Sequence, residues 1–313
     1  MQTDMDQFSL HHTQEKVSLV IPTHERPVAL ANAVRSGLAA LPENGELIVI
    51  DDGTEHAASE TLNDVTDRRL RIEKTSGSQG PSSARNLGVS HSTAELVFFL
   101  DDDDSLMPDY VARVLTARAR TVPVPSFGFS AMSQSGTVSR KALETGPIHK
   151  RQNLSERLGG LGMGFWIEKA LFEAIGGLDE TIRINEDTEF CLRLAADEVA
   201  GWYEAQPGVE INASRTQTGN ADAPSITKTS ALNDRADVFE LLLSKYSQLL
   251  IEYPKTKKMF ERRVLKYTAQ SQGFRPALYR AKRLGMGNSS KLLIPQLILW
   301  RATHLLGKRQ RAR

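Results

Sequence analysis

Four short stretches rich in β-branched or aromatic residues punctuate the first hundred positions: VSLVI (17–21), ELIVI (46–50), LRIEK (70–74) and ELVFFL (95–100). Each is too short for an independent helix and reads as a strand. The segments between them carry helical spacing. Residues 28–40 repeat apolar side chains at Val28, Leu30, Ala31, Val34 and Leu38, and a further helix is expected over 57–66. PSSARNLGVSHS (81–92) opens on Pro81, a favoured first helical position. Strands that alternate with helices need crossover connections, which make neighbouring strands parallel and put helices on both faces. The expected fold is α/β, with a doubly wound, mostly parallel sheet.

Past Pro108 a helix is expected over Asp109–Arg120, then a strand and turn in FGFSAMSQSG and a glycine-rich loop in RLGGLGMGFW. EKALFEAIGGLDE reads as a helix closed by Gly176-Gly177, and NEDTEFCLRLAADEV as another. Residues 209–230 are polar and irregular. From about 231 the chain reads as helix to its end, broken at Pro254, at Gly273–Pro276 and at Gly285–Ser290.

Charge divides the chain unevenly. Residues 254–313 hold 16 of the 39 Lys and Arg but one of the 38 Asp and Glu, so a basic end follows an acidic body. The single cysteine, Cys191, excludes an internal disulfide and suits a reducing compartment. The polar, acid-bearing N-terminus is expected to be neither a signal nor a transit peptide. No run approaches the ~18 apolar residues of a spanning helix.

The fourth strand ends in Asp101–Asp104, four like charges in a row. A solvated acidic turn would explain them. So would a hard divalent cation, which takes oxygen ligands and relieves the repulsion. Ligands of open α/β sheets gather at the carboxyl ends of the strands, where PTHERP (22–27), Asp51-Asp52-Gly53 and this block all fall.

VSLVIPTHERP, ELIVIDDGT, GPSSARNLGV and LVFFLDDDDSLMPDY, followed by GGLDE and NEDTEFCLRL, resemble in order and spacing the inverting GT-A glycosyltransferases of family 2, over roughly residues 16–205. The resemblance implies a Rossmann-like GT-A fold with a C-terminal helical extension. It implies a tail over 1–15, a nucleotide-sugar-binding half over 16–108, an acceptor-binding half over 109–230 and a basic helical extension over 231–313. Pro22, Thr23, His24 and Glu25 would line the nucleotide pocket, with His24 where the family often stacks an aromatic on the base; otherwise it is an exposed loop histidine. Asp52 would accept a hydrogen bond from the base, while Asp51 is a turn residue. Arg85 would approach the nucleotide or its phosphates, or be a surface cation, and Asn86 would cap or brace the aspartate loop.

In the DxD block, Asp103 is the first choice as ligand to Mn²⁺ or Mg²⁺. Asp101 would be a second ligand, or touch the sugar, the ribose or a metal-bound water. Asp102 would lie on the donor side, and Asp104 would cap the following turn. Asp187 aligns with the family's catalytic base, which deprotonates the acceptor hydroxyl. Glu186 competes for that role or binds sugar hydroxyls; both acids also suit a helix first turn. Trp166 would form part of the acceptor wall. The family often has a later metal-contacting histidine; EINASRTQTGN has none, and Arg215 is the nearest candidate.

The implied activity moves a sugar from a nucleoside-diphosphate donor to a saccharide or lipid-linked saccharide, in polysaccharide or glycolipid assembly. KLLIPQLILWRATHLLGKRQRAR, with its basic approach, reads either as an interfacial helix on an anionic membrane or as a helix packed on its own domain. The expected setting is cytoplasmic, peripheral on the inner membrane face. No nucleic acid is expected as partner. Two rivals are a nucleotidyltransferase, though PTHERP is no basic glycine-rich phosphate loop, and a non-catalytic nucleotide-sugar-binding protein of the same fold.

Overall fold

The structure, a computed structural model, describes residues 15–53, 57–139, 143–150, 152–212, 231–286 and 295–303. The four expected strands are β1 (Val17–Thr23), β2 (Glu46–Asp51), β3 (Leu70–Lys74) and β4 (Leu96–Phe99). β1 runs parallel to both β2 and β4, and β3 extends the parallel set beyond β2. Helix α1 (Pro27–Ala40) follows β1, and α2 (Pro81–His91) connects β3 to β4.

Two glycines show how the helices wind around the sheet. A side-chain carbon at Gly37 of α1 would lie 2.5 Å from Leu19, and one at Gly88 of α2 would collide with Val20. Successive strand residues point to opposite faces. The two helices therefore press on opposite faces of β1, each through a position where only glycine permits the approach. The helix expected over 57–66 is a single turn, Ala58–Thr61.

The residues that follow add β5 (Asp104–Leu106), α3 (Tyr110–Arg120), β6 (Phe127–Gln134), β7 (Thr137–Ser139), β8 (Gly146–Ile148), β9 (Trp166–Glu168), α4 (Lys169–Ala174), α5 (Glu186–Ala196) and β10 (Gly201–Ile211). The order across the sheet is β3-β2-β1-β4-β9-β6-β10-β5, with β7 on β6 and β8 on β10. The parallel character holds for β3-β2-β1-β4. Past β4 the sheet is mixed: β9 enters from the glycine-rich loop at the carboxyl edge and must run back antiparallel to β4. β10 carries no strand signature in the sequence, because register shifts around Pro207 interrupt its alternation.

Trp166 is fully buried in β9, where its ring lies 6.4 Å from Phe98 and the Arg118 guanidinium sits 5.5 Å above it. It is a core residue and forms no open acceptor wall, because strand alternation turns it into the sheet packing. Asp104 is likewise no turn cap. It begins β5, is buried and pairs with Ile211.

The chain divides into two compact units, one of residues 1–152 and 156–223 and one of residues 153–155 and 224–313. The second unit holds α6 (Leu232–Lys245), α7 (Pro254–Ser271), α8 (Phe274–Arg283) and α9 (residues 295–303). Leu265, Ala269, Ala277, Ala281 and Leu297 form one of its cores, and the Phe239 and Phe260 rings pack tilted at 5.2 Å. Arg280 pairs with Asp237 and Glu240, and Arg283 with Glu240. Among the described residues no helix is long and apolar enough to cross a membrane.

Candidate functional site

The parallel register of β1, β2 and β4 brings Thr23, Asp52 and the aspartate block to one edge of the sheet. Asp52 is buried, and its carboxylate accepts the Gln79 and Gly80 amides at 2.8 Å each and the Thr75 hydroxyl. It shapes the loop 75–80. Its main-chain carbonyl also holds the exposed His24 ring through Nδ1 at 2.9 Å. Asp51 accepts the Gly53 and Ala58 amides, the part expected of a turn residue. Pro22 and Glu25 are partly buried in the loop leaving β1, where the Glu25 carboxylate lies against Gly53.

The four aspartates divide their work. Asp102 points into the protein, where Thr23 Oγ1 and Arg26 Nη1 each donate to it at 2.8 Å. Burial pushes its carboxyl up to about 6, against the pull of Arg26 and Thr23. Both oxygens are engaged, so Asp102 braces the first loop against the block. Asp101, Asp103 and Asp104 instead bring one carboxylate oxygen each within 4.8 Å of one another. Hard oxygen donors at that spacing fit Mg²⁺ or Mn²⁺. Arg26 lies 3.3 Å from Asp103 and partly balances the cluster. The Asn212 amide ties the Asp103 carbonyl to the end of β10 at 3.0 Å. Sequence reasoning passed over Arg26, although it stands inside PTHERP and four adjacent acids call for a cation.

Arg85 joins the two halves of the site. It is buried on α2, donates to Asp101 Oδ1 at 2.7 Å and to Glu186 Oε1 at 3.1 Å, and is no surface cation. Asn86, beside it, does not brace the aspartate loop: its amide bonds the Leu178 backbone at 2.9 and 3.0 Å and so holds the GGLDE segment. That segment delivers the start of α5, where Asn185 adopts a left-handed φ of 59° and the acids Glu186, Asp187 and Glu189 fill the first turn. Asp187 Oδ1 accepts the Thr188 amide at 2.6 Å.

The glycine-rich loop closes over this arrangement. A side-chain carbon at Gly162 would stand 2.7 Å from Asp101 Oδ2, and one at Gly160 would stand 3.2 Å from Asp187 Oδ2. Bare backbone therefore lies close to both carboxylates, and a side chain at either position would crowd them. Arg215 lies outside the described residues.

Burial raises both acids of α5. Glu186 is pushed up to about 7 by desolvation and the Asp187 charge, with Arg85 opposing. Asp187 also rises, through burial, against the Thr188 amide and Arg85. Unfolded, both would titrate in the ordinary range of about 4. Between about 4 and 7 folded Glu186 keeps a proton that the unfolded chain has lost, so it favours folding at low pH and that contribution disappears as pH rises through about 7, with Asp187 acting in the same direction. Glu186→Gln is expected to flatten the decline and to raise stability at pH 8 by about 1–3 kcal/mol. Urea unfolding of parent and variant at acidic and alkaline pH checks this; identical slopes would refute it.

A doubly wound sheet whose carboxyl edge gathers an aspartate cluster opposite a helix-borne acidic pair is the architecture of GT-A glycosyltransferases. Residues 18–162 match the family model described as Glycosyl transferase family 2. An uncharacterized glycosyltransferase of Haemophilus influenzae is 26% identical over 186 residues, covering 57% of this chain and 61% of that protein. The GalNAc(5)-diNAcBac-PP-undecaprenol beta-1,3-glucosyltransferase of Campylobacter jejuni is 27% identical over 145 residues, 45% of this chain and 46% of the relative. Each match spans less than two thirds of the relative's length. The crystal structure of S. aureus TarS 1-349 in complex with UDP-GlcNAc superposes with a TM-score of 0.62 over 94% of this chain and 92% of that one, at 15% identity, a likeness of fold.

Proposed function

We propose that the protein transfers a sugar, with inversion, from a nucleoside-diphosphate donor to an acceptor hydroxyl. One observation carries the reading: Arg85 ties Asp101 of the aspartate block to Glu186 of the α5 pair, with Asp187 adjacent, so the donor side and a candidate base share one buried network. Inversion needs a base on the face opposite the leaving group. Asp187 would take the acceptor proton as the new bond forms, and its raised affinity for protons suits it to that part. Glu186 would hold the acceptor or donor hydroxyls and tune Asp187.

Asp103 and Asp101, with Asp104 beside them, would hold a divalent cation, whose charge stabilises the departing diphosphate. Pro22, Thr23, His24 and Glu25 would line the base pocket, with Asp52 holding its floor. A uridine nucleotide is favoured by the TarS likeness, and a lipid-linked saccharide acceptor by the name of the Campylobacter relative. Residues 16–108 would then serve the donor, 109–230 the acceptor, and the basic helices of 231–313 an anionic membrane at the cytoplasmic face.

The test is a thermal-shift screen of nucleotide sugars with and without Mn²⁺. One nucleotide sugar should stabilise the protein, by about 2.7 kcal/mol at a hundredfold excess over its Kd, and much less when the cation is withheld. No response to any donor would refute the reading. Gly162→Ala refines it: the added methyl must displace Asp101, and a misplacement near 1 Å lowers transfer by about 10²-fold. Full activity in that variant would remove Asp101 from the donor side.

A further inference from the structure

The second unit contains a basic groove. Lys255, Lys258, Met259, Arg262, Arg263 and Lys266 of α7 line it, and Gln296 and Trp300 of α9 close it, around a volume of about 510 Å³. That size falls in the range of sites that take a small ligand or a headgroup, about 300–1,000 Å³. The opposite face of α7, through Phe260, Val264, Leu265 and Ala269, is buried. The cations are therefore presented outward at helical spacing by an anchored element.

Little offsets their charge among the described residues: Glu261 acts on Lys258, and Arg263 lies 4.9 Å over the Phe239 ring. Among the described residues none of the five cations forms an ion pair, whereas Arg280 and Arg283 of the neighbouring α8 are matched by Asp237 and Glu240. Lys258, Arg262 and Lys266 follow one another at four-residue intervals, and like charges so spaced destabilise a helix. An anion in the groove would reverse that repulsion. Beside Trp300, Ile298 and Leu299 of the same helix are 53% and 59% exposed. Cations, an indole and exposed aliphatics on adjoining positions are the combination that settles at a lipid interface.

We infer that this groove binds the phosphate headgroup of an anionic phospholipid, with Ile298 and Leu299 entering the acyl boundary. The inference deepens the membrane part of the proposed function and requires no glycosyl transfer.

The test measures partitioning of the full chain onto phosphatidylcholine vesicles with and without phosphatidylglycerol. Each cation at such a surface is worth about fivefold in binding. Arg262→Ala/Lys266→Ala should lower partitioning onto the anionic vesicles by about 25-fold. Arg275→Ala/Lys282→Ala removes equal charge from α8, outside the groove, and should lower it far less. Trp300 emission should shift blue on binding, a signal that Trp300→Phe abolishes.

Equal losses in both double variants would mean diffuse attraction and would overturn the groove while leaving membrane association standing. No binding to anionic vesicles would overturn both. Trp300 responding to inorganic pyrophosphate but not to vesicles would make the ligand a free phosphate and refute the lipid. Equal competition by duplex DNA would do the same in favour of nucleic acid. The nucleotide thermal shift of Arg262→Ala/Lys266→Ala should match the parent. Its absence in both proteins, with vesicle binding intact, would sink the glycosyltransferase reading alone.

Discussion

Asp187→Asn is expected to lower glycosyl transfer by about 10²–10⁴-fold while leaving nucleotide binding in place. Asparagine keeps the shape and can still accept the Thr188 amide that orients this side chain at 2.6 Å. What disappears is the capacity to take a proton. The loss should fall on kcat and kcat/KM alike, because the missing interaction belongs to the transition state. The parent enzyme should show the same dependence through pH. Burial raises both acids of the pair, so transfer should decline as pH falls below about 7 and the pair gains a proton. The apparent value belongs to Glu186 and Asp187 together. Undiminished turnover in the variant would transfer the base role to Glu186. Nucleotide binding without any turnover, in parent and variant alike, would favour a non-catalytic nucleotide-sugar-binding protein.

Arg85→Met should have the largest effect on stability, about 3–5 kcal/mol at pH 8. The methionine fills similar space but leaves Asp101 and Glu186 without the guanidinium that each contacts, and Asp187 without its nearby positive charge. The remaining acids would escape by protonation, so the deficit should shrink as pH falls towards 5. Arg85→Lys should recover only part of it, since an ammonium cannot hold Asp101 and Glu186 in one planar fork. Urea unfolding at both pH values checks the direction. A deficit below about 1 kcal/mol at pH 8 would show that the network relaxes around the loss, outside the range expected for breaking a buried pair.

Much of this site can be read along the chain because its parts are local. A buried strand followed by charged residues marks the end of a strand, and three such places, after β1, β2 and β4, lie at the same edge in any parallel arrangement. The acidic start of α5 is equally visible in NEDTEF. Direction and burial are harder. Four adjacent aspartates carry no sign of how they divide, yet Asp102 braces Thr23 and Arg26 while Asp101, Asp103 and the buried Asp104 bring their carboxylates together. Trp166 beside a glycine-rich loop looks like a binding wall until strand alternation turns it into the core. β10 escapes notice because bulges at Pro207 erase its period.

Short-range patterning was enough for the alternating strands and helices, the carboxyl edge and the presence of acidic groups there. Those features depend on periodicities of two and 3.6 residues and on turn chemistry, which neighbouring side chains express directly. The pairing of Arg85 with acids 16 and 101 positions away, and the bare backbone of Gly160 and Gly162 laid against Asp187 and Asp101, belong to the folded chain. Contacts between distant segments depend on how the sheet twists and packs. That geometry places one guanidinium between Asp101 and Glu186 and strips water from Glu186, which raises its carboxyl.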